Sequence, residues 1–301
     1  MITVNCPCCK AQTPIIWWGF RLTKERGKIR RYKCTLCRRT FVERDGYFRK
    51  HKPKDKILAV LSQWWKGLTS RELADEHDIC QSTVLRWLLE YTIVLYRYLC
   101  RKIQRYAKKL HADELFLKMR KQFYYVWDAL CADSRFAFVF LSKFRDSKSA
   151  AELLQLCPMA DEITTDGAFS YCRPVKQRYG YSCRHHQCID FEDKKHNNIM
   201  ERLQNTMRRF LHPRRGFHSL ETGRMQLAGW LLFYNFIRIH TAIGMTPAEK
   251  AGVIGRYKGL KTVKQRIEWL IEQAVSLWLI IANRKCWQCP YFSYAKGIYR
   301  C

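Results

Sequence analysis

Apolar positions recur at helical spacing from residue 54 to about residue 98. Ile57, Leu58, Leu61 and Trp64 fall on one face of a first helix. Gly67-Leu68-Thr69 ends it, and Ser70 is placed to N-cap a short helix over residues 71–76. Gln81-Ser82-Thr83 then opens a long helix with the stripe Val84, Leu88, Tyr91 and Leu95. Helix, turn, short helix, turn, helix predicts a helix-turn-helix, with Gln81, Ser82, Thr83 and Arg86 free to reach a nucleic-acid groove. A three-helix packing module without that role has the same spacing.

After a basic run over residues 101–109 the texture changes to strands. Residues 115–120, 123–130 and 136–142 are rich in β-branched and aromatic residues, with polar turns such as Ala132-Asp133-Ser134 between them, and predict an antiparallel meander. A helix over 147–156 leads to a strand over 162–165 that ends in Asp166-Gly167. A helical stretch from residue 168, a strand over 185–191 and helices over 199–211 and 220–239 follow, giving a mixed α/β domain. Beyond residue 254, Val263, Ile267, Leu270, Ala274 and Leu277 form a helical stripe suited to a core or dimer contact.

Charge narrows the function. Among 301 residues, Lys and Arg number 55 against 26 Asp and Glu, a net charge of +29 that calls for a polyanionic partner such as nucleic acid. With 48% hydrophobic residues the chain is no disordered basic tail. Its 15 cysteines are too few for a disulfide scaffold and point to metal binding. Cys6-x-x-Cys9 and Cys34-x-x-Cys37 have the spacing of a two-knuckle Zn²⁺ ribbon, with Cys8 as a spare thiol. The first 50 residues hold 13 basic and 3 acidic side chains, so this ribbon is expected to touch DNA. Cys183, His185, His186 and Cys188 look metal-like but fall in a predicted strand, where neighbours point to opposite faces. Cys286-x-x-Cys289 with Cys301 lacks an evident fourth ligand. The chain has no apparent secretory signal, and its most apolar stretch, 274–282, falls far short of the roughly 20 residues that span a bilayer. A soluble, cytoplasmic, nucleoid-associated protein is expected.

Three acids are candidates for chemistry. Asp113 is expected at the start of the first strand, Asp166 at the end of the fourth, and Glu201 in the first turn of a helix. Three hard oxygen ligands suit Mg²⁺ or Mn²⁺, which leave coordination positions for water and phosphate. On spacing alone other readings stay open. Asn198 and Glu201 fit a capping box, Asp166-Gly167 fits an ordinary turn, and Glu114 and Asp128 are rival strand acids.

The flanking residues carry a resemblance. Thr165-Asp166 is followed, with 34 residues between the acids, by Asn197-Asn198-x-x-Glu201, then Arg208, Arg209 and Gly216-Phe217. Tyr234-Asn235-x-x-Arg238-x-His240 and Thr246-Pro247-Ala248-Glu249 come downstream. In this the chain resembles the insertion-sequence DDE transposases whose second Asp and Glu are 34 residues apart, including members with an N-terminal zinc ribbon and helix-turn-helix. The resemblance implies an RNase H-like catalytic domain with Asp113, Asp166 and Glu201 as a Mg²⁺- or Mn²⁺-binding triad. It implies that water frees a 3′-hydroxyl at the element's end, which then attacks target DNA without a covalent protein–DNA intermediate. Partners would be double-stranded DNA ends, target DNA and further copies of the chain in a dimer or larger assembly. Residues 194–215 hold seven basic side chains and one acid, and Lys194, Lys195, Arg202, Arg208 and Arg209 would hold phosphates; a solvated helix face is the plainer reading. The expected domains are a ribbon (1–46), the helix-turn-helix with a basic linker that lets it move (47–108), the catalytic domain (109–253) and a helical extension (254–301). A DNA-binding regulator without catalysis and a metal-dependent nuclease are the alternatives.

Overall fold

The computed structural model describes residues 6, 8, 9, 15–23, 27–42, 52–99, 102–119, 122–188, 198–212, 220–257 and 259–281. The expectations for Lys194, Lys195, Asn197, Arg214, Arg215, Gly216, Phe217, Cys286, Cys289 and Cys301, and for the side chain of Leu277, lie outside them. Two compact units divide the chain, Met1–Ala59 and Val60–Cys301.

In the first unit, β1 (Ile15–Thr23), β2 (Gly27–Cys34) and β3 (Thr40–Val42) form an antiparallel sheet in that order. A bulge interrupts β1 between Trp17 and Phe20, where Gly19 takes a φ of +77° that side chains disfavour. Among the described side chains of these strands only Cys34 is buried. So small a sheet has no core of its own, and the thiols must organise it.

The boundary between units falls inside α1 (Lys54–Lys66), which is followed by α2 (Ser70–His77) and α3 (Gln81–Leu99). The predicted stripes are buried: Ile57, Leu58, Leu61 and Trp64 on α1, and Val84, Leu88, Tyr91 and Leu95 on α3. The cap of α2 is Thr69, not Ser70. Thr69 accepts from the Glu72 backbone while the Glu72 carboxylate accepts from the Thr69 backbone at 2.7 Å, so the residue one position earlier satisfies two helix-end donors.

The second unit is built on a five-stranded sheet of order β6-β5-β4-β7-β8. Its strands are β4 (Tyr106–Met119), β5 (Gln122–Cys131), β6 (Ala137–Ser142), β7 (Met159–Asp166) and β8 (Arg184–Cys188). The first three run antiparallel, whereas β7 is parallel to β4 and β8 to β7. This central first strand, flanked by a meander on one side and parallel crossovers on the other, is the RNase H-like fold. Helices α4 (Ser147–Leu156), α5 (Cys172–Tyr179), α6 (Asn198–Leu211) and α7 (Leu220–Leu232) flank it. Short α8 (Pro247–Lys250) and long α9 (Val263–Ile281) close the described chain.

Several boundaries move. β4 begins nine residues before the predicted strand, because its first half pairs with β7, Tyr106 against Met159 through Ala112 against Thr165. Lys109, read as linker, lies in that strand and pairs with Glu162 at 2.5 Å. Asp113 therefore lies within β4 and not at its start. The helix expected over 220–239 ends at Leu232 and continues as a π-helical turn, Phe233–Ile237. That turn presents Asn235, whose side chain accepts from the Ala137 N–H at 2.9 Å and donates to its C=O at 2.8 Å. Asn235 thus acts as a one-residue strand on the outer edge of β6.

α3 packs against both α7 and α9 within one compact unit. Trp64 meets Phe210 of α6 edge-on at 5.5 Å between ring centroids. Gly229 of α7 lets Trp64 approach; a Cβ there would fall 2.5 Å from the Trp64 ring. The C-terminal stripe belongs to this layer, with Ile267, Leu270 and Ala274 buried. Buried Arg266 fastens it by donating to the carbonyls of Ile237 at 2.7 Å and of Leu260 and Lys261 at 3.0 Å.

Candidate active site and metal centres

The alternation of β4 divides its two central acids. Asp113 lies opposite Asp128 of β5, on the face covered by α6, where Gln204 donates to Asp128 at 3.4 Å. Glu114 lies opposite Trp127 on the other face, where Trp127 meets Tyr171 edge-on at 5.5 Å. β4 and β7 stop pairing after Ala112 and Thr165, and at this parting Asp166 reaches the end of β7. One oxygen each from Asp113, Glu114 and Asp166 lies within 4.8 Å of the others. The structure thus joins two of the three predicted acids and adds Glu114, a rival on spacing alone.

Burial raises all of these carboxyls. Asp113 is pushed up to about 7, by burial first and then by the charges of Asp166 and Glu114, against a 2.8 Å hydrogen bond from the Glu114 N–H. Asp166 is raised by burial, opposed by its hydrogen bond from the Ala168 N–H and by Arg145. Glu114 is raised by burial and by Asp166, although Arg145 forms an ion pair with it. Asp128, fully buried, is held well above the carboxylate range by burial and by Asp113. The one cation at the cluster among the described residues is Arg145, bonded to Glu114 and 3.6 Å from Asp166. One guanidinium among three crowded carboxyls leaves an all-oxygen donor set that a hard divalent cation fits.

Glu201 is exposed in the first turn of α6 and does not join that cluster. It lies one turn before Gln204, whose amide serves Asp113 as well as Asp128, so α6 brings its N-terminal end toward the same acids. Asn198 is already helical, one position too late to cap this helix in a box with Glu201. Arg202, Arg208 and Arg209 are exposed on α6, opposite its buried face of Met200, Leu203, Met207 and Phe210. Arg145 and Gln204 escaped the sequence reading. A glutamine three residues after Glu201 on an apolar helix face was the available signal for Gln204; Arg145 follows a strand end and had none.

The thiols converge more completely. Sulfurs of Cys6, Cys9, Cys34 and Cys37 all lie within 4.8 Å of one another, with Cys6–Cys37 and Cys9–Cys34 both at 3.5 Å. Cys8 is exposed and outside the group. At the Cys6 thiol burial opposes charge, but backbone hydrogen bonds from Cys9 and Cys8 and contacts with the Cys37 and Cys9 thiols outweigh it and bring the pKa down to about 6. A soft, anionic, four-sulfur set fits a tetrahedral ion.

Cys183, His185, His186 and Cys188 form no such group among the described residues. His185 bonds Thr165 at 2.9 Å, while His186 lies 3.7 Å from Glu162, so alternation along β8 separates them. At the start of α3, Gln81, Ser82 and Arg86 are exposed and Thr83 half-buried, and Gln81 donates to Ser70 at 2.9 Å. Among the described residues no helix is long and apolar enough to cross a membrane.

The family described as a DDE domain, DDE_Tnp_IS240, matches residues 107–240, the stretch that contains Asp113, Glu114, Asp166 and α6. The transposase for insertion sequence element IS257 in transposon Tn4003 of Staphylococcus aureus is 29% identical over 112 residues, 35% of this chain and 50% of the relative. The transposase for insertion sequence-like element IS431mec of Staphylococcus aureus strain Mu50 is 32% identical over the same shares. The chain thus spans about half the length of the curated relatives it matches. The HTLV-2 integrase catalytic core domain, solved in complex with magnesium, is 14% identical at a TM-score of 0.39, covering 49% of this chain and 97% of that one.

Proposed function

We propose that the protein is a DNA transposase that binds the ends of an insertion sequence and carries out metal-dependent cleavage and strand transfer. The observation that carries this reading is the convergence of Asp113, Glu114 and Asp166 at the parting of β4 and β7, inside a DDE domain. Asp113 and Asp166 hold Mg²⁺ or Mn²⁺, with Glu201 supplied from the first turn of α6. When bound, such ions activate an attacking oxygen and stabilise a leaving one. Gln204 fixes the orientation of Asp113 and Asp128, and Arg145 holds Glu114 beside the ligands.

The protein's cations do the positioning. Arg202, Arg208 and Arg209 on α6, with Lys194 and Lys195 before it, bind phosphates next to the acids. Gln81, Ser82, Thr83 and Arg86 at the start of α3 enter a major groove. Cys6, Cys9, Cys34 and Cys37 hold Zn²⁺, which fixes the β1–β3 sheet. Synapsis of two ends requires at least a dimer. In this reading residues 1–46, 47–105, 106–253 and 254–301 are ribbon, helix-turn-helix, catalytic domain and C-terminal extension, the strand start at Tyr106 moving the second boundary.

The test uses DNA flanking the gene, with Mg²⁺ or Mn²⁺, and compares the protein with Asp113→Asn, Asp166→Asn and Glu201→Gln. Cleavage and joining should fall by at least the roughly 10²–10³-fold that loss of one preorganised electrostatic group causes, with end binding retained. Binding without cutting by the parent protein would instead favour the regulator, and cutting without joining the nuclease.

A further inference from the structure

The β1–β2 hairpin carries a surface that the carboxylate chemistry leaves unused. Trp17 is 62% exposed, Trp18 41% and Phe20 46%. Ammonium groups stand over two of these rings, Lys33 Nζ 4.0 Å from the Trp18 centroid and Lys28 Nζ 4.4 Å from that of Phe20. Neither β1 nor β2 contains an Asp or Glu. The rings are no core, because only Cys34 is buried among the described side chains of the three strands.

We propose that this hairpin binds unpaired nucleobases, which stack on Trp17 and Phe20 on one face and on Trp18 on the other, while Lys28 beside Phe20 and Lys33 beside Trp18 meet the phosphates. The charged side chains of the two strands are all cationic and select a polyanion, and flat exposed rings select one with accessible π faces. Duplex DNA hides its base faces within the stack, so the fit is to single strands and frayed ends, where stacking on aromatic rings tolerates any sequence. Such ends arise when a strand is cut at an element boundary, so the inference deepens the DNA-binding reading above and rests on it.

The experiment measures fluorescence anisotropy of labelled single-stranded, forked and duplex oligonucleotides of one sequence with the zinc-loaded full chain. The variants are the pair Trp17→Ala with Trp18→Ala, the pair Trp17→Phe with Trp18→Phe, and Trp17→Leu alone. The alanine pair should lose about tenfold or more in affinity for single-stranded and forked DNA, with duplex binding changed by less than about twofold, and the phenylalanine pair should recover most of the loss. Trp17→Leu keeps an apolar side chain at the most exposed ring and should lose single-strand affinity in the same direction with unchanged zinc content, which separates stacking from folding. An equal loss on duplex, no loss on single strands, or altered self-association with DNA binding intact would overturn the proposal. Failure of the parent protein to bind any of the three DNAs would overturn the transposase reading itself.

Discussion

The thiol cluster and the carboxyl cluster are opposites in how they relate to the fold around them. Cys6, Cys9, Cys34 and Cys37 converge beside a sheet in which Cys34 is the one buried side chain among those described, so a metal there would make the structure. Asp113, Glu114 and Asp166 converge where two strands part inside a core that holds Trp127, Leu110 and Ile163, so the structure there makes the metal site. The proton affinities point in opposite directions for the same reason. Hydrogen bonds around an otherwise coreless knuckle bring the Cys6 thiol down to about 6, whereas burial and crowding push Asp113 up to about 7. The Cys6 thiol gives up its proton more readily than an ordinary cysteine, whereas the crowded carboxyls hold theirs more tightly than ordinary acids.

The largest effect expected from this contrast comes from removing the ribbon metal. Chelation, or Cys34→Ser, should abolish amide-exchange protection across β1–β3 while leaving β4–β8 protected, since structural zinc in small domains contributes roughly 10–16 kcal/mol. Loss of protection in both sheets would show that the two do not differ as described.

Next in size is a pH effect on the metal-free catalytic domain. Asp113 binds its proton more tightly folded than unfolded, so its contribution to stability is present below about 4 and is lost as pH rises to about 7. Asp128, Glu114 and Asp166 are shifted in the same direction. Thermal melts in a chelator should therefore fall over this window by the equivalent of a few kcal/mol, and Asp113→Asn should flatten the slope. A flat parent profile would contradict the crowding.

Asn235→Ala should destabilise the same domain by about 2–3 kcal/mol, because it leaves the Ala137 N–H and C=O without their edge partner. Urea denaturation reads this directly, with the ribbon's exchange unaffected. The smallest effect is expected at Arg145, which is partly exposed. Arg145→Gln should change metal-free stability by about 1 kcal/mol or less yet enlarge the thermal shift on adding Mg²⁺, because the guanidinium no longer competes for Glu114 and Asp166. A smaller Mg²⁺ shift would make Arg145 a helper of the cation and not a substitute for it.

How much of this was legible in the chain depended on whether the cause was local. Helix α4 spans the predicted residues 147–156, and the apolar stripes of α1 and α3 are buried as read, because helical periodicity is written within one element. The paired CxxC spacing likewise lies in short segments. The first half of β4 was not legible. Lys108 and Lys109 look like linker, and only pairing with β7, some fifty residues on, makes them strand. The same holds for the site. Asp166 stood out through its flanking motif and Asp113 through its place at the first strand, but the inclusion of Glu114 depends on where β4 and β7 part, and the place of Arg145 on the loop after β6. The close approach of α1 to α7 turns on Gly229 meeting Trp64, a contact between residues more than 160 positions apart.

The most direct test of the central claim changes the chemistry of one ligand without removing it. Asp166→Cys replaces a hard oxygen with a thiolate, which Mn²⁺ accepts more readily than Mg²⁺. The account predicts that this variant binds element ends normally, fails to cut them in Mg²⁺ and regains cutting in Mn²⁺, while the parent protein cuts with either ion. Equal activity of Asp166→Cys in the two ions, or cutting by the parent in the presence of a chelator, would contradict it.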